Sequence, residues 1–225
     1  MNAKSHSHSP LLGAVLSGPL IHGAVLSRRD VDFAGYVVTL TAPGAPRMPN
    51  GIECGVKLRR ADRVSIGGGK LAVGTQVIDV GPGWDPVPNR MPAGKLTAGP
   101  APLITKLSGF GAGLRSAADV ILMGYVAGLV LLHGMRDRAS RLAEGAGSRT
   151  DCLSATLLRH AALGEVPEPV HVLLANGDIG PLLSMANLTG HAWLRGLVSA
   201  GYVLDVGGLP AAQLPMARDA SSGAF

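Results

Sequence analysis

Residues 109–119 read Gly-Phe-Gly-Ala-Gly-Leu-Arg-Ser-Ala-Ala-Asp and run directly into the apolar stretch Val120 to Leu132. Glycines at 109, 111 and 113 let backbone N–H groups approach a ligand closely, and the first turn of a following helix adds unpaired donors and the positive end of the helix dipole. This junction suits a small anion: Gly109, Gly111 and Gly113 would contribute amides, Arg115 and Ser116 would bind it, and Asp119 would orient it. A glycine-rich turn also enters many helices for packing alone. The stretch lacks the Gly-Lys-Ser/Thr of a P-loop, and its spacing is not the Gly-x-Gly-x-x-Gly of a dinucleotide site.

A second group able to do chemistry is His191, at another glycine-marked helix entrance, Thr189-Gly190-His191-Ala192-Trp193. Imidazole is the side chain best suited to proton transfer near neutrality, although a single His in an aliphatic protein also serves as a hydrogen-bonded structural residue. His160 and His171 flank Gly164-Glu165-Val166-Pro167-Glu168-Pro169, and both carboxylates read as surface or capping groups. No HExxH, paired CxxC, EF-hand or GxSxG pattern occurs, so neither a metal nor a serine-nucleophile elbow is expected, and no cofactor is implied. Cys54 and Cys152 are too few and too far apart for a disulfide framework; a reducing cytoplasm fits them, as small buried hydrophobes.

The elements that must position these groups follow from composition and periodicity. With 225 residues, 47% of them hydrophobic, the chain can bury a large core, and only 4% aromatic residues leave little for base stacking. The net charge of +5 is spread over separated arginines and lysines rather than gathered in a run, which argues against a nucleic-acid partner and for a solvated basic surface. Val120 to Leu132 is too short to span a bilayer and reads as a buried helix, with Gly124 and Gly128 on one face admitting a close neighbour; no membrane association is expected. The apolar residues between Leu11 and Leu26 loosely imitate an export signal, but Pro10, Pro19 and His22 interrupt them, and His6 and His8 read as a mobile tail.

Period-two patterns at Tyr36 to Leu40, Ile52 to Leu58, Arg63 to Ile66, Lys70 to Val73 and Gln76 to Val80 predict antiparallel strands joined by hairpins at Pro49-Asn50-Gly51, Ala61-Asp62 and Gly67-Gly68-Gly69. Prolines 82, 86, 88, 92, 100 and 102 then mark an extended linker, with Trp84 pinning it to a domain surface. Beyond it the periodicity is helical. Leu153, Leu157, Leu158, Ala161 and Ala162 form one stripe, with Thr150 or Asp151 as N-cap and Gly164 as stop. Further helices are predicted near 136–144, 168–175, 180–187 and 191–204. The fold class is α+β: a β-rich N-terminal domain over 1–80, a linker over 81–104, an all-α helical domain over 105–210 and a tail over 211–225.

In order, these signals resemble the AllH-type subunit family of oxamate carbamoyltransferase, a component of allantoin catabolism. The resemblance rests on Pro49-Asn50-Gly51-Ile52, Gly83-Trp84-Asp85-Pro86, Gly109-Phe-Gly-Ala-Gly-Leu114, the helix from Asp119 through Gly124, Arg149-Thr150 with Ser154, Leu157-Leu158-Arg159, Ala162-Leu-Gly-Glu165 and Gly190-His191. The family's Gly-Leu-Thr-Pro-Ser-Gly-Asp-Asp segment survives here as Gly113-Leu114 and Asp119, with Arg115, Ser116, Ala117, Ala118 and Val120 in the other places. A later Gly-His-Thr/Ser-Ser-Gly signature is reduced to Gly190-His191-Ala192-Trp193-Leu194. Both segments have lost polar groups, yet a guanidinium at 115 still binds carboxylate or phosphate in a planar fork.

The resemblance implies carbamoyl transfer between an oxamate-like or oxalurate-like small anion and phosphate or carbamoyl phosphate, with other carbamoyltransferase subunits as partners and a homo-oligomer compatible with it. In that picture Asp119 and His191 are the catalytic residues. The alternative is a non-catalytic scaffold or small-anion-binding subunit with a degraded site; a sugar- or nucleotide-phosphate binder using the same turn is a third.

Overall fold

The strand around which the N-terminal half is built, Tyr36–Thr41, is buried at all six positions. The computed structural model of the chain describes residues 5–7, 9–81, 83–88, 95–96, 117–185 and 189–203. Within them the N-terminal half comprises β1 (Ser5–Ser7), α1 (Pro10–Ser17), β2 (Ile21–Val25), β3 (Asp30–Phe33), β4 (Tyr36–Thr41), β5 (Gly51–Glu53), β6 (Val64–Gly67), β7 (Lys70–Val73), β8 (Gln76–Asp79) and β9 (Gly83–Trp84). The strands form one nine-stranded sheet in the order β8-β7-β6-β2-β3-β4-β5-β1-β9. β2 turns the corner of this sheet: Ile21 to Gly23 pair with β6, whereas Ala24 and Val25 pair with β3.

The sheet is mixed, because β4 with β5 and β1 with β9 run parallel among otherwise antiparallel neighbours. Pro49-Asn50-Gly51 therefore does not close a hairpin. Asn50 is instead buried at the start of β4, where its Nδ2 donates to Val37 O at 2.9 Å and to Thr39 Oγ1 at 3.0 Å, so the chain returns to the beginning of β4 before β5 departs. The period-two pattern through Leu58 outlasts its strand: Ile52, Cys54 and Leu58 are buried and Gly55 and Lys57 exposed, although the strand ends at Glu53. Alternating burial needs only an extended chain lying on a core, whereas a ladder needs a partner strand.

Two N-terminal expectations change. Ser5–Ser7, expected as part of a mobile tail, pairs with β5 on one side and β9 on the other. Pro10, expected to interrupt the apolar run, opens α1 behind the N-cap Ser9, whose side chain accepts from Leu11 N–H. Proline is tolerated at the first helical position because its missing N–H has no intrahelical partner to lose there. Leu12 and Leu16, one turn apart, then bury against the sheet.

The C-terminal half holds α2 (Ala117–His133), α3 (Arg136–Gly147), α4 (Cys152–Ala162), α5 (Glu168–Asn176), α6 (Gly180–Leu183) and α7 (Thr189–Ser199). A short antiparallel pair, β10 (Lys95–Leu96) with β11 (Tyr202–Val203), accompanies it. The architecture is thus α+β, a strand-rich N-terminal part followed by a helical one. α2 is buried on nearly every side, with α7, α4 and α3 packed around it. As expected from their spacing, Gly124 and Gly128 admit a close neighbour. A Cβ at Gly124 would collide with Trp193 O and lie 3.1 Å from Gly196 Cα, and one at Gly128 would collide with the Ala200 methyl. Contacts advance in the same direction along both helices, so α2 and α7 pack parallel.

Two apolar clusters result, one inside the sheet and under α1, the other inside the helices. β4 lies between them: Tyr36, Val38 and Leu40 belong to the first and Val37 to the second. Replacing Gly124 by Ala should cost about 1–3 kcal/mol, since the collision is with backbone that cannot rotate away. Gly13→Ala in α1, where a Cβ meets nothing within 4 Å, should instead add roughly 0.5–1 kcal/mol from helix propensity. Urea unfolding of the two variants checks both signs.

Candidate functional site

The described residues include only part of the expected anion site. Residues 109–116, with Gly109, Gly111, Gly113, Arg115 and Ser116, lie outside them. Asp119 stands in the first turn of α2, only 2% exposed, and accepts a hydrogen bond from the Thr150 hydroxyl at 2.7 Å. His191 is the third residue of α7, and its Nδ1 is shut off from solvent with no hydrogen-bond partner among the described residues. Because α2 and α7 run parallel, the two residues occupy the same end of one helix pair. Both helix N-termini point their positive dipole ends that way.

Sequence reasoning missed a denser polar cluster, centred on His160 in α4. The ring is fully buried, and Glu165, expected at the surface or in a cap, is 2% exposed and bonded to His160 Nδ1. Tyr36 Oη lies 2.9 Å from Nε2, and Ser9 Oγ 3.3 Å from Nδ1. Burial first, and then the nearby Glu165 charge, push the Tyr36 hydroxyl well above its usual pKa, so it remains a donor. The carboxylate sets the tautomer: its oxygen accepts, so Nδ1–H donates to Glu165 and Nε2 is left to accept from Tyr36.

A hydrolytic triad sets the nucleophile and the acid on opposite ring nitrogens. Here Ser9 and Glu165 share Nδ1, and the Ser9 oxygen also accepts from Leu11 N–H. The group is a buried tie between segments. Its one legible sign was Ser9-Pro10, which is an N-cap followed by a first-turn proline.

Trp84 does pin its segment. Its ring and that of His171 meet at 62° with centroids 5.2 Å apart, the Arg47 guanidinium lies over it at 5.4 Å, and His171 Nε2–H donates to Pro86 O at 2.7 Å. Arg47 holds Glu168 through Nη2 at 2.8 Å, Nε at 3.2 Å and its backbone N–H at 3.0 Å. Burial pushes the Glu168 carboxyl up, but these bonds outweigh it and leave it below the usual carboxylate range. Burial raises both thiols, that of Cys152 further through Asp32 and Asp151, so neither is primed as a nucleophile.

Elsewhere, Arg136, Arg138 and Arg141 surround a shallow cavity of about 290 Å³ at the start of α3. Among the described residues, no group of three or more His, Cys, Asp or Glu could hold a metal ion, and no helix is long and apolar enough to cross a membrane. No protein-family model matches the chain, and no curated protein or solved structure is significantly similar to it.

Removing the Thr150 hydroxyl takes away one hydrogen bond to a buried carboxylate, which costs about 1–3 kcal/mol. Thr150→Val should therefore lower stability in urea by that amount. Ser148→Ala, whose exposed hydroxyl donates only to Gly145 O, should stay within about 0.5 kcal/mol.

Proposed function

We propose that this chain is a cytoplasmic subunit of a carbamoyltransferase-like complex that handles small anions of the oxamate or oxalurate type together with phosphate or carbamoyl phosphate. The observation that carries this reading is the parallel pairing of α2 and α7, which sets Asp119 and His191 at one end of a helix pair whose dipoles favour an anion. In this reading the amides of Gly109, Gly111 and Gly113 and the side chains of Arg115 and Ser116 hold the anion. Asp119 orients it, through a carboxylate that Thr150 keeps in place. His191, with a buried nitrogen open for a partner among the described residues, relays the proton. Charge developing on a transferred carbamoyl group would be met by fixed donors rather than mobile water.

A second reading is favoured by the Thr150 bond to Asp119. A carboxylate 2% exposed and already bonded suits a structural role, leaving a non-catalytic subunit that binds anions or partners without turning them over.

Isothermal titration with oxamate, carbamoyl phosphate and phosphate tests the first reading, on the chain alone and with the other subunits of such a complex. Wild type should bind. Arg115→Ala should weaken binding by about 1.5–3 kcal/mol, the range for a charge-assisted hydrogen bond, equivalent to roughly tenfold to 150-fold. Absence of binding in every arm overturns the anion site. Binding without turnover, unchanged by His191→Asn, favours the second reading.

A further inference from the structure

The sheet and the helices have two apolar cores, which meet where Val37 of β4, with Leu26 and Met48, packs into the helical one, and much of what else joins them is polar. Val37 N–H donates to Thr156 Oγ1 at 3.0 Å, Val166 N–H to Pro86 O at 2.9 Å and Glu168 N–H to Arg47 O at 3.0 Å. Arg159 Nη2 donates to Gly35 O at 2.5 Å. Two imidazoles sit in the same seam, His160 between Ser9, Tyr36 and Glu165, and His171 between Trp84 and Pro86. We propose that this seam is an acid-operated joint, which parts as one unit on mild acidification while the apolar core on each side stays folded.

The mechanism lies in the direction of the bonds. Neutral His160 has a donor at Nδ1 and an acceptor at Nε2, and each is matched. A proton added at Nε2 turns that acceptor into a donor facing the Tyr36 hydroxyl, in a site with no solvent contact. The hydroxyl can accept that N–H only by turning its own proton off the ring into a site without water, and burial opposes the added charge, so the tie to β4 is weakened. Opening the seam hydrates both imidazoles and removes the conflict.

Other charged groups face these rings. Around His160 they are Tyr36 from β4, Glu165 beyond the end of α4, and Arg159 on α4 itself. Around His171 they are Asp85 after β9, Arg47 from the β4–β5 connection, and Glu168 on α5. The carboxylates favour a charged imidazole, but burial outweighs them at both rings and holds each below its ordinary value. The closed seam therefore binds fewer protons than the open one. Each imidazole supports closure fully above its open-state pKa of about 6.5, and that support declines as pH falls below it, by up to about tenfold per pH unit. Glu168 lies below the usual carboxylate range and titrates far beneath this window, so the imidazoles set the onset.

The amides of Val37, Val166 and Glu168 cross the seam and report on it directly. Their protection factors against hydrogen exchange, measured on the full chain at pH 7.5, 6.5 and 5.5, should drop together by about five- to thirtyfold between pH 6.5 and 5.5. Amides of α2 and β7 should keep their protection. Constant protection at the seam, or a fall in step with α2 and β7, overturns the proposal. In the His160→Gln, His171→Gln double variant the drop should vanish, and its persistence overturns the proposal equally. Should that variant not fold, the imidazole ¹⁵N shifts of wild type decide. Rings that stay neutral until the seam amides lose protection support the joint, and rings that titrate near pH 6.5 with the seam still closed refute it.

Discussion

A fully buried imidazole has to find a partner for each ring nitrogen inside the protein, because water cannot serve it and an unmatched polar atom is costly. His160 finds its partners on segments far apart in sequence: Ser9 before α1, Tyr36 on β4 and Glu165 beyond α4. Its position thereby fixes how the start of α1 and the start of β4 lie against the helices. Thr156 and Arg159, on the same helix, add bonds to Val37 and Gly35, so α4 meets the β3–β4 hairpin through directional contacts. Apolar packing alone would tolerate sliding. These bonds do not.

The helical half depends on small residues in a different way. Gly124, Gly128 and Gly196 let two helix backbones approach until side chains would collide, and the order of these contacts has α2 and α7 running parallel. Parallel neighbours place like dipole ends together, an arrangement that antiparallel pairs avoid and that an anion or a buried acid can offset. Asp119 in the first turn of α2 supplies one such negative charge.

The order of strands and helices was largely legible, since periods of two and near four survive in the residues that carry them: Lys70–Val73, Gln76–Asp79 and the Leu153 stripe lie in elements of the expected kind. Asp151 caps its helix as read, accepting from Leu153 and Ser154 N–H. What could not be read was pairing. Asn50 beside Gly51 is a strong local turn signal, and only the distant partners Val37 and Thr39 make it a buried anchor. The polar cluster was hidden for the same reason, because Ser9, Tyr36, His160 and Glu165 share no spacing. Asp119 and His191 were found through glycine-marked helix entrances, a local signature, but their shared end of the helix pair required the packing of α2 on α7.

β1 lies between β5 and β9, so one of its edges is satisfied only when residues 83 and 84 have been made. At cellular synthesis speeds of roughly 5–20 residues per second, the growing polypeptide carries this first strand unpaired on that side for several seconds. His160, the partner of Ser9, emerges later still. The sheet therefore closes on its first described strand last, once β9 has been made, and the ties that hold it to the helices form only after α4 has followed.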